Sequence, residues 1–169
     1  MGKRTNYKRK VHDFYPTPLA AAEPLFPFLK PRTKFDEPCS GDGALVEHLK
    51  DAGFNCVNSS DLIRGQDAMD ITGTPAEYFI TNPPWAWEVL DPLIAHLSNM
   101  RPTWLLLNGD LMHNVRMGQY LRRCQSVVSV GRISWLQNGK NGFENCAWYL
   151  FYPHRRKTTF YGRGWRDDD

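Results

Sequence analysis

The stretch 33-TKFDEPCSGDGALVEHLKDAG-53 decides the fold. Thr33 to Asp36 predicts a short strand, and Gly41 and Gly43 predict a tight loop. The spacing of apolar residues from Ala44 to Asp51 predicts a helix, which Gly53 closes. A strand that passes through a glycine loop into a helix is the first unit of an open α/β sheet, and such sheets bind ligands at the carboxyl ends of their strands.

The flanking sequence continues the pattern. Before it, 13-DFYPTPLAAAEPLFPFL-29 predicts an aromatic, proline-rich turn and a short apolar helix from about Pro18. After it, 54-FNCVNSSD-61 reads as a second strand ending in an acid, and 77-EYFITNPPW-85 as a strand stopped by two prolines, neither of which has an N–H for the ladder. Val89 to Met100 has helical spacing, 103-TWLLLNGD-110 is a buried strand, and Asn114 to Arg123 predicts a helix. Ser126 to Ile133 and 146-CAWYLFY-152 predict two last strands, joined by 134-SWLQNGKNGFEN-145 with its Asn-Gly turn signals. Strands alternating with helices imply a mostly parallel sheet covered on both faces. Two final strands without a helix between them imply a C-terminal antiparallel hairpin at the sheet edge. The expected organisation is a basic arm over residues 1–12, one α/β sandwich domain over 13–153 and a charged tail over 154–169.

Bulk properties narrow the function. A chain of 169 residues is long enough for one good core, and 13% aromatic residues with six Trp suggest stacking surfaces as well as core. No apolar run approaches the roughly 20 residues of a membrane span, and Met1 to Lys10 is too polar for a signal peptide, so a cytoplasmic protein without a membrane partner is expected. Cys39, Cys56, Cys124 and Cys146 form no CxxC pair, and the five His show no ligand spacing, which argues against a metal site or a disulfide framework. The net charge of +3 is uneven: Lys3, Arg4, Lys8, Arg9 and Lys10 crowd one end, and His154 to Lys157 with Arg163 and Arg166 form a second basic stretch. Each is either a solvated tail or a nucleic-acid contact.

The glycine loop alone is compatible with a plain strand-to-helix turn. Asp61, about 20 residues on, is placed to hydrogen-bond ribose hydroxyls, and Asp70 in 68-AMDI-71 stands where a third strand would end, suited to an adenine amino group. Glu37 and Asp42 make the loop acidic, which suits a cation better than a pyrophosphate. S-adenosylmethionine, a sulfonium with a ribose and an adenine, fits that pattern.

Taken together, DFYPTP, EPCSGDGAL, Asp61, AMDI and TNPPW resemble, in this order, the gamma-type DNA methyltransferases that modify adenine N6. The resemblance runs from Asp13 to about Trp87 and implies a class I methyltransferase, Rossmann-like fold. It implies that Phe14, Tyr15 and Thr17 close over the cofactor, which Glu37, Cys39, Gly41, Gly43, Asp61 and Asp70 bind. It implies a catalytic turn of Asn82, Pro83, Pro84 and Trp85, with the Asn82 side-chain oxygen and the Pro83 carbonyl accepting the N–H groups of the target amine and Trp85 stacking on the base. Phe143 matches a late aromatic position of the family or is ordinary hairpin core. The chain departs from the family in having no segment long enough for a separate target-recognition domain. Lys8, Arg9 and Lys10 are expected to touch the phosphates of a DNA substrate whose adenine is flipped out or single-stranded. Related Asn-Pro-Pro-aromatic turns keep RNA and protein glutamine open as substrates, and a catalytically silent binding module is a further alternative.

Overall fold

The computed structural model describes residues 15–135, 142 and 144–165. The expectations placed on Phe14, Phe143, Lys8, Arg9, Lys10 and the rest of the arm lie outside these residues. The strands are β1 (Lys34–Glu37), β2 (Asn55–Ser59), β3 (Tyr78–Thr81), β4 (Thr103–Asn108), β5 (Cys124–Arg132), β6 (Asn145–Phe151) and β7 (Thr159–Tyr161). They form one sheet in the order β2-β1-β3-β4-β6-β5-β7. The pairs among β1 to β4 are parallel, β6 runs antiparallel to both β4 and β5, and β7 is parallel to β5. This is the mostly parallel α/β sandwich of the class I methyltransferase fold.

Helices α1 (Leu19–Ala22), α2 (Ala44–Asp51), α3 (Trp87–Met100) and α4 (Gly118–Leu121) cover the sheet, with 3-10 turns between them. Successive side chains of a strand point to opposite faces, and β4 shows what that does here. Trp104 and Leu106 join Ala21, Leu25, Leu45 and Leu49 on one side, while Leu105 and Leu107 join Leu90 and Ile94 of α3 on the other. A strand with four successive apolar residues, Trp104 to Leu107, can only be satisfied between two covered faces, where each large side chain contributes about 1.5–3 kcal/mol. Helix α2 buries Leu45, Val46 and Leu49. It ends where Gly53, at φ 90°, lets its own N–H reach the Lys50 carbonyl at 2.9 Å and that of Phe54 reach Leu49 at 3.0 Å. This is a Schellman closure, which needs the left-handed residue that glycine supplies.

Two expectations are corrected and two gain detail. AMDI forms no strand: Asp67 accepts from the Met69 amide at 2.9 Å and caps the 3-10 turn Ala68–Asp70, so β2 is the sheet edge and Asp70 ends a turn. The last two strands pair as the expected antiparallel hairpin, with β6 between β4 and β5, where six of its seven residues are buried. The helix expected over Asn114 to Arg123 forms with a 3-10 first turn, Val115–Met117, which Asn114 caps through the Arg116 amide at 2.9 Å, and runs on without a gap as α4. The stretch after Pro153 is not a tail throughout: β7 adds to the sheet, and Trp165 stacks on Phe28 at 5.0 Å between ring centroids.

Candidate active site

Glu37, the last residue of β1, is 1% exposed. Its carboxyl accepts from the Cys39 amide at 3.1 Å. Burial pushes its pKa up to about 8, helped by the nearby charges of Asp36 and Asp61 and opposed by the Thr81 hydroxyl and the Cys39 amide. Burial likewise raises the Cys39 thiol, so this cysteine is no thiolate nucleophile. Gly41 and Gly43 both take positive φ, 53° and 90°, which turns the loop into the N-terminus of α2.

Asp61 closes this loop from the other side. It accepts from the Gly41 amide at 2.7 Å and the Ile63 amide at 2.8 Å, so one carboxylate fixes both the glycine loop and the turn after β2. Each of its oxygens keeps a lone pair for a further donor. Arg64 braces the same loop, donating to the Gly41 carbonyl at 3.0 Å and to the Ser40 hydroxyl. Beyond Asp61 lies a shallow cavity of about 320 Å³ that includes Asn58, Ser60, Asp67, Asp70 and Ile71 in its wall. The Ser60 hydroxyl is buried and has no partner among the described residues. Leu62 and Ile63 stand 65% and 66% exposed directly after Asp61, two apolar surfaces suited to a flat ring. Sequence reasoning passed over Arg64, Ser60, Leu62 and Ile63, although the apolar pair following a strand-ending acid was a readable signal.

The second half of the site lies on the neighbouring strand. Phe35 and Asp36 of β1 pair with Tyr78 and Phe79 of β3, and Thr81 at the end of β3 faces Glu37 and Cys39. The next residue, Asn82, is half-buried, and its amide nitrogen donates to the Thr17 hydroxyl at 3.1 Å. That bond spends the nitrogen side of the amide and leaves Oδ1 as a free acceptor, with no donor to it among the described residues. Thr17 is 6% exposed, and its hydroxyl keeps a proton for another acceptor. The chain around Thr17 is held by α1, whose Ala21 carbonyl accepts from the buried Trp148 indole of β6 at 2.8 Å.

Pro83 is buried, and Pro84 and Trp85 are half-buried. The Trp85 indole donates to the Leu106 carbonyl of β4 at 3.0 Å and meets Trp135 edge to face, with 5.9 Å between centroids and 83° between planes. Tyr15 lies 6.4 Å from Trp135 on the same ring cluster. Trp135, read in the sequence only as part of a turn-rich connection, is the aromatic residue the sequence reading missed.

The structure thus brings Tyr15, Thr17, Asn82, Pro83, Pro84 and Trp85 into one group, adjoining a second group of Glu37, Cys39, Gly41, Gly43 and Asp61. Asp70 stands apart from both, in the cavity beyond Asp61. Among the described residues no helix is long and apolar enough to cross a membrane.

Neither a protein-family model nor a curated protein matches the sequence. The likeness to known proteins is one of fold, and the fold is that of methyltransferases. A provisionally named RNA methyltransferase of Pyrococcus horikoshii matches with a TM-score of 0.56 and 12% identity, over 90% of this chain and 93% of that one. A dimethyladenosine transferase of Plasmodium falciparum matches with a TM-score of 0.53 and 12% identity, over 83% of this chain and 62% of that one. The methyltransferase subunit of a type I restriction-modification system of Streptococcus thermophilus matches with a TM-score of 0.52 and 10% identity, over 86% of this chain and 47% of that one. The chain therefore spans less than two thirds of the length of two of these three proteins.

Proposed function

We propose that this protein transfers the methyl group of S-adenosylmethionine to the exocyclic N6 amine of adenine in DNA. The observation that carries this reading is the Asn82–Thr17 hydrogen bond of 3.1 Å, which orients the Asn82 amide with its oxygen outward on the turn that also bears the Pro83 carbonyl. An exocyclic amine is a poor nucleophile because its lone pair is delocalised into the ring. Two acceptors that take its two N–H groups favour a tetrahedral nitrogen and aim the lone pair away from the ring. Proline stiffness holds both acceptors in place before the substrate arrives.

The residues present suit the cofactor. The unpartnered Ser60 hydroxyl and Asp70 line one cavity, a cationic ligand compensates the buried Glu37, and a Cβ on Gly43 would meet no atom within 4 Å, so a ligand can approach that loop closely. Glu37, Cys39, Gly41, Gly43, Asp61 and Asp70 would hold adenosylmethionine, with Tyr15 and Thr17 closing over it. When bound there, it supplies an electrophilic methyl group on a sulfonium. The chain contributes binding, orientation and exclusion of water. No strong base is required, because the product amine sheds its proton to water. Flipping a base out of a duplex costs a few kcal/mol, a single-stranded base less, and stacking on an aromatic side chain returns about 1–3 kcal/mol. Trp85, fixed by its bond to Leu106 and its contact with Trp135, is that side chain. The aromatic run favours a nucleobase over a glutamine side chain, which offers no ring to stack.

Asn82→Ala tests the proposal. Transfer is expected to fall about 10²- to 10³-fold while cofactor affinity, read by calorimetry, stays within a factor of two. Thr17→Val is expected to lower turnover by up to about 10-fold, the worth of one hydrogen bond, and Thr17→Ser to restore it. Normal turnover of Asn82→Ala would make the turn purely structural.

A further inference from the structure

The C-terminal strand carries a second feature to the same end of the sheet. Because β6 is antiparallel to β4 and to β5, the carboxyl end of β5 lies at the same end of the sheet as that of β4: Asn108, Cys146 and Gly131 stand in one row across the three strands. Strand β7 is parallel to β5, so it too finishes there, and Arg163 follows two residues later.

Gly131 has φ 86°, and a Cβ built on it would lie 3.3 Å from Nη1 of Arg163 and 3.4 Å from its Cδ. The bare glycine is a seat, and the Arg163 side chain lies across the end of β5 on it. Arg132, the next residue, is exposed, as is Arg163. Among the described residues neither has an ion-pair or hydrogen-bond partner. Other arginines are engaged: Arg64 on the glycine loop, Arg101 on the Ala76 carbonyl, Arg123 on Tyr152 and Ser98. Three strand spacings of about 4.8 Å separate β3, which leads into Asn82, from β5. The pair therefore lies on the order of 14 Å from the reactive turn, about four nucleotides at 3.4 Å each along one strand. Trp135 follows Arg132 by three residues and belongs to the ring cluster of Trp85 and Tyr15.

We infer that Arg132 and Arg163 bind the phosphodiester backbone of the nucleic-acid strand whose base enters the Tyr15–Trp135–Trp85 cluster. This rests on the proposed action on a nucleobase. It adds a binding surface made by the β5–β7 pair, with a separate role: phosphate contacts fix the register of the strand and carry no base information.

The test is a salt titration of binding to a single-stranded 20-nucleotide DNA and to RNA of the same sequence, with cofactor affinity followed by calorimetry. Arg132→Gln combined with Arg163→Gln is expected to flatten the slope of log affinity against log salt by about 1.4 on both strands, from roughly 0.7 per phosphate contact. Cofactor affinity should not change. Arg155→Gln combined with Lys157→Gln removes the same charge at the opposite end of β7 and should leave the slope as in the unaltered protein. A slope unaltered by the first pair, or altered equally by both pairs, overturns the inference while leaving methyl transfer intact. An unaltered protein that binds neither strand overturns the nucleobase reading as well.

Discussion

A carboxyl buried as deeply as Glu37 reports on itself through pH. Its folded-state pKa, raised from 4.5 to about 8, means that the folded protein holds a proton which the unfolded chain has already lost above pH 4.5. Stability then falls as pH rises, because the native state binds more protons than the unfolded one. The contribution is fully present below about pH 4.5 and is lost progressively until about pH 8. Glu37→Gln keeps an acceptor for the Cys39 amide and removes the titration. Its melting temperature relative to the unaltered protein should therefore rise between about pH 5 and pH 8. A constant difference across that range would show that Glu37 is ionised throughout. The same proton bears on ligand binding: a cation over the loop favours the carboxylate, so binding near pH 7 should release a proton.

At the scale of elements, periodicity made the parallel half of the sheet readable. Thr33 to Gly53 announced β1, the loop and α2 because a short strand, two glycines and a helical apolar face follow one another without interruption. β7 was not readable, since a three-residue strand among His154 to Lys157 and Arg163 has no periodicity and its apolar content is aromatic. Its position is set by tertiary contacts: Tyr161 meets Phe28 at 4.7 Å and Trp165 at 4.8 Å, and Phe28 in turn meets the buried Trp104 at 6.1 Å. Trp165→Ala should lower stability by about 1–3 kcal/mol in urea unfolding, the combined worth of half-buried aromatic area and ring contacts. No change in the unfolding midpoint would mean that the strand hangs on its pairing with β5 alone. Likewise AMDI could not be read as a turn, because four residues carry no period and the cap that folds them is the side chain of Asp67, just outside them.

On the scale of the whole molecule, the candidate site is assembled from segments 65 residues apart, as the Thr17–Asn82 bond shows. The turn Asn82 to Trp85 and the acids Glu37 and Asp61 were legible because each ends a strand, and strand ends in this fold converge. Trp135 and the seat of Arg163 on Gly131 were not, because they depend on β6 entering between β4 and β5, which no local pattern encodes. One chemical outcome is expected of this site: amine methylation of a nucleobase, from a cationic methyl donor, on a surface where acceptors and aromatic rings meet. The most direct measurement incubates the protein with methyl-labelled S-adenosylmethionine and separate DNA, RNA and protein pools, then locates the label by mass spectrometry. Label is expected on N6 of adenine in DNA, reduced about 10²- to 10³-fold in Asn82→Ala. Label on a glutamine side chain, on a ring carbon, or on no pool at all would contradict this expectation.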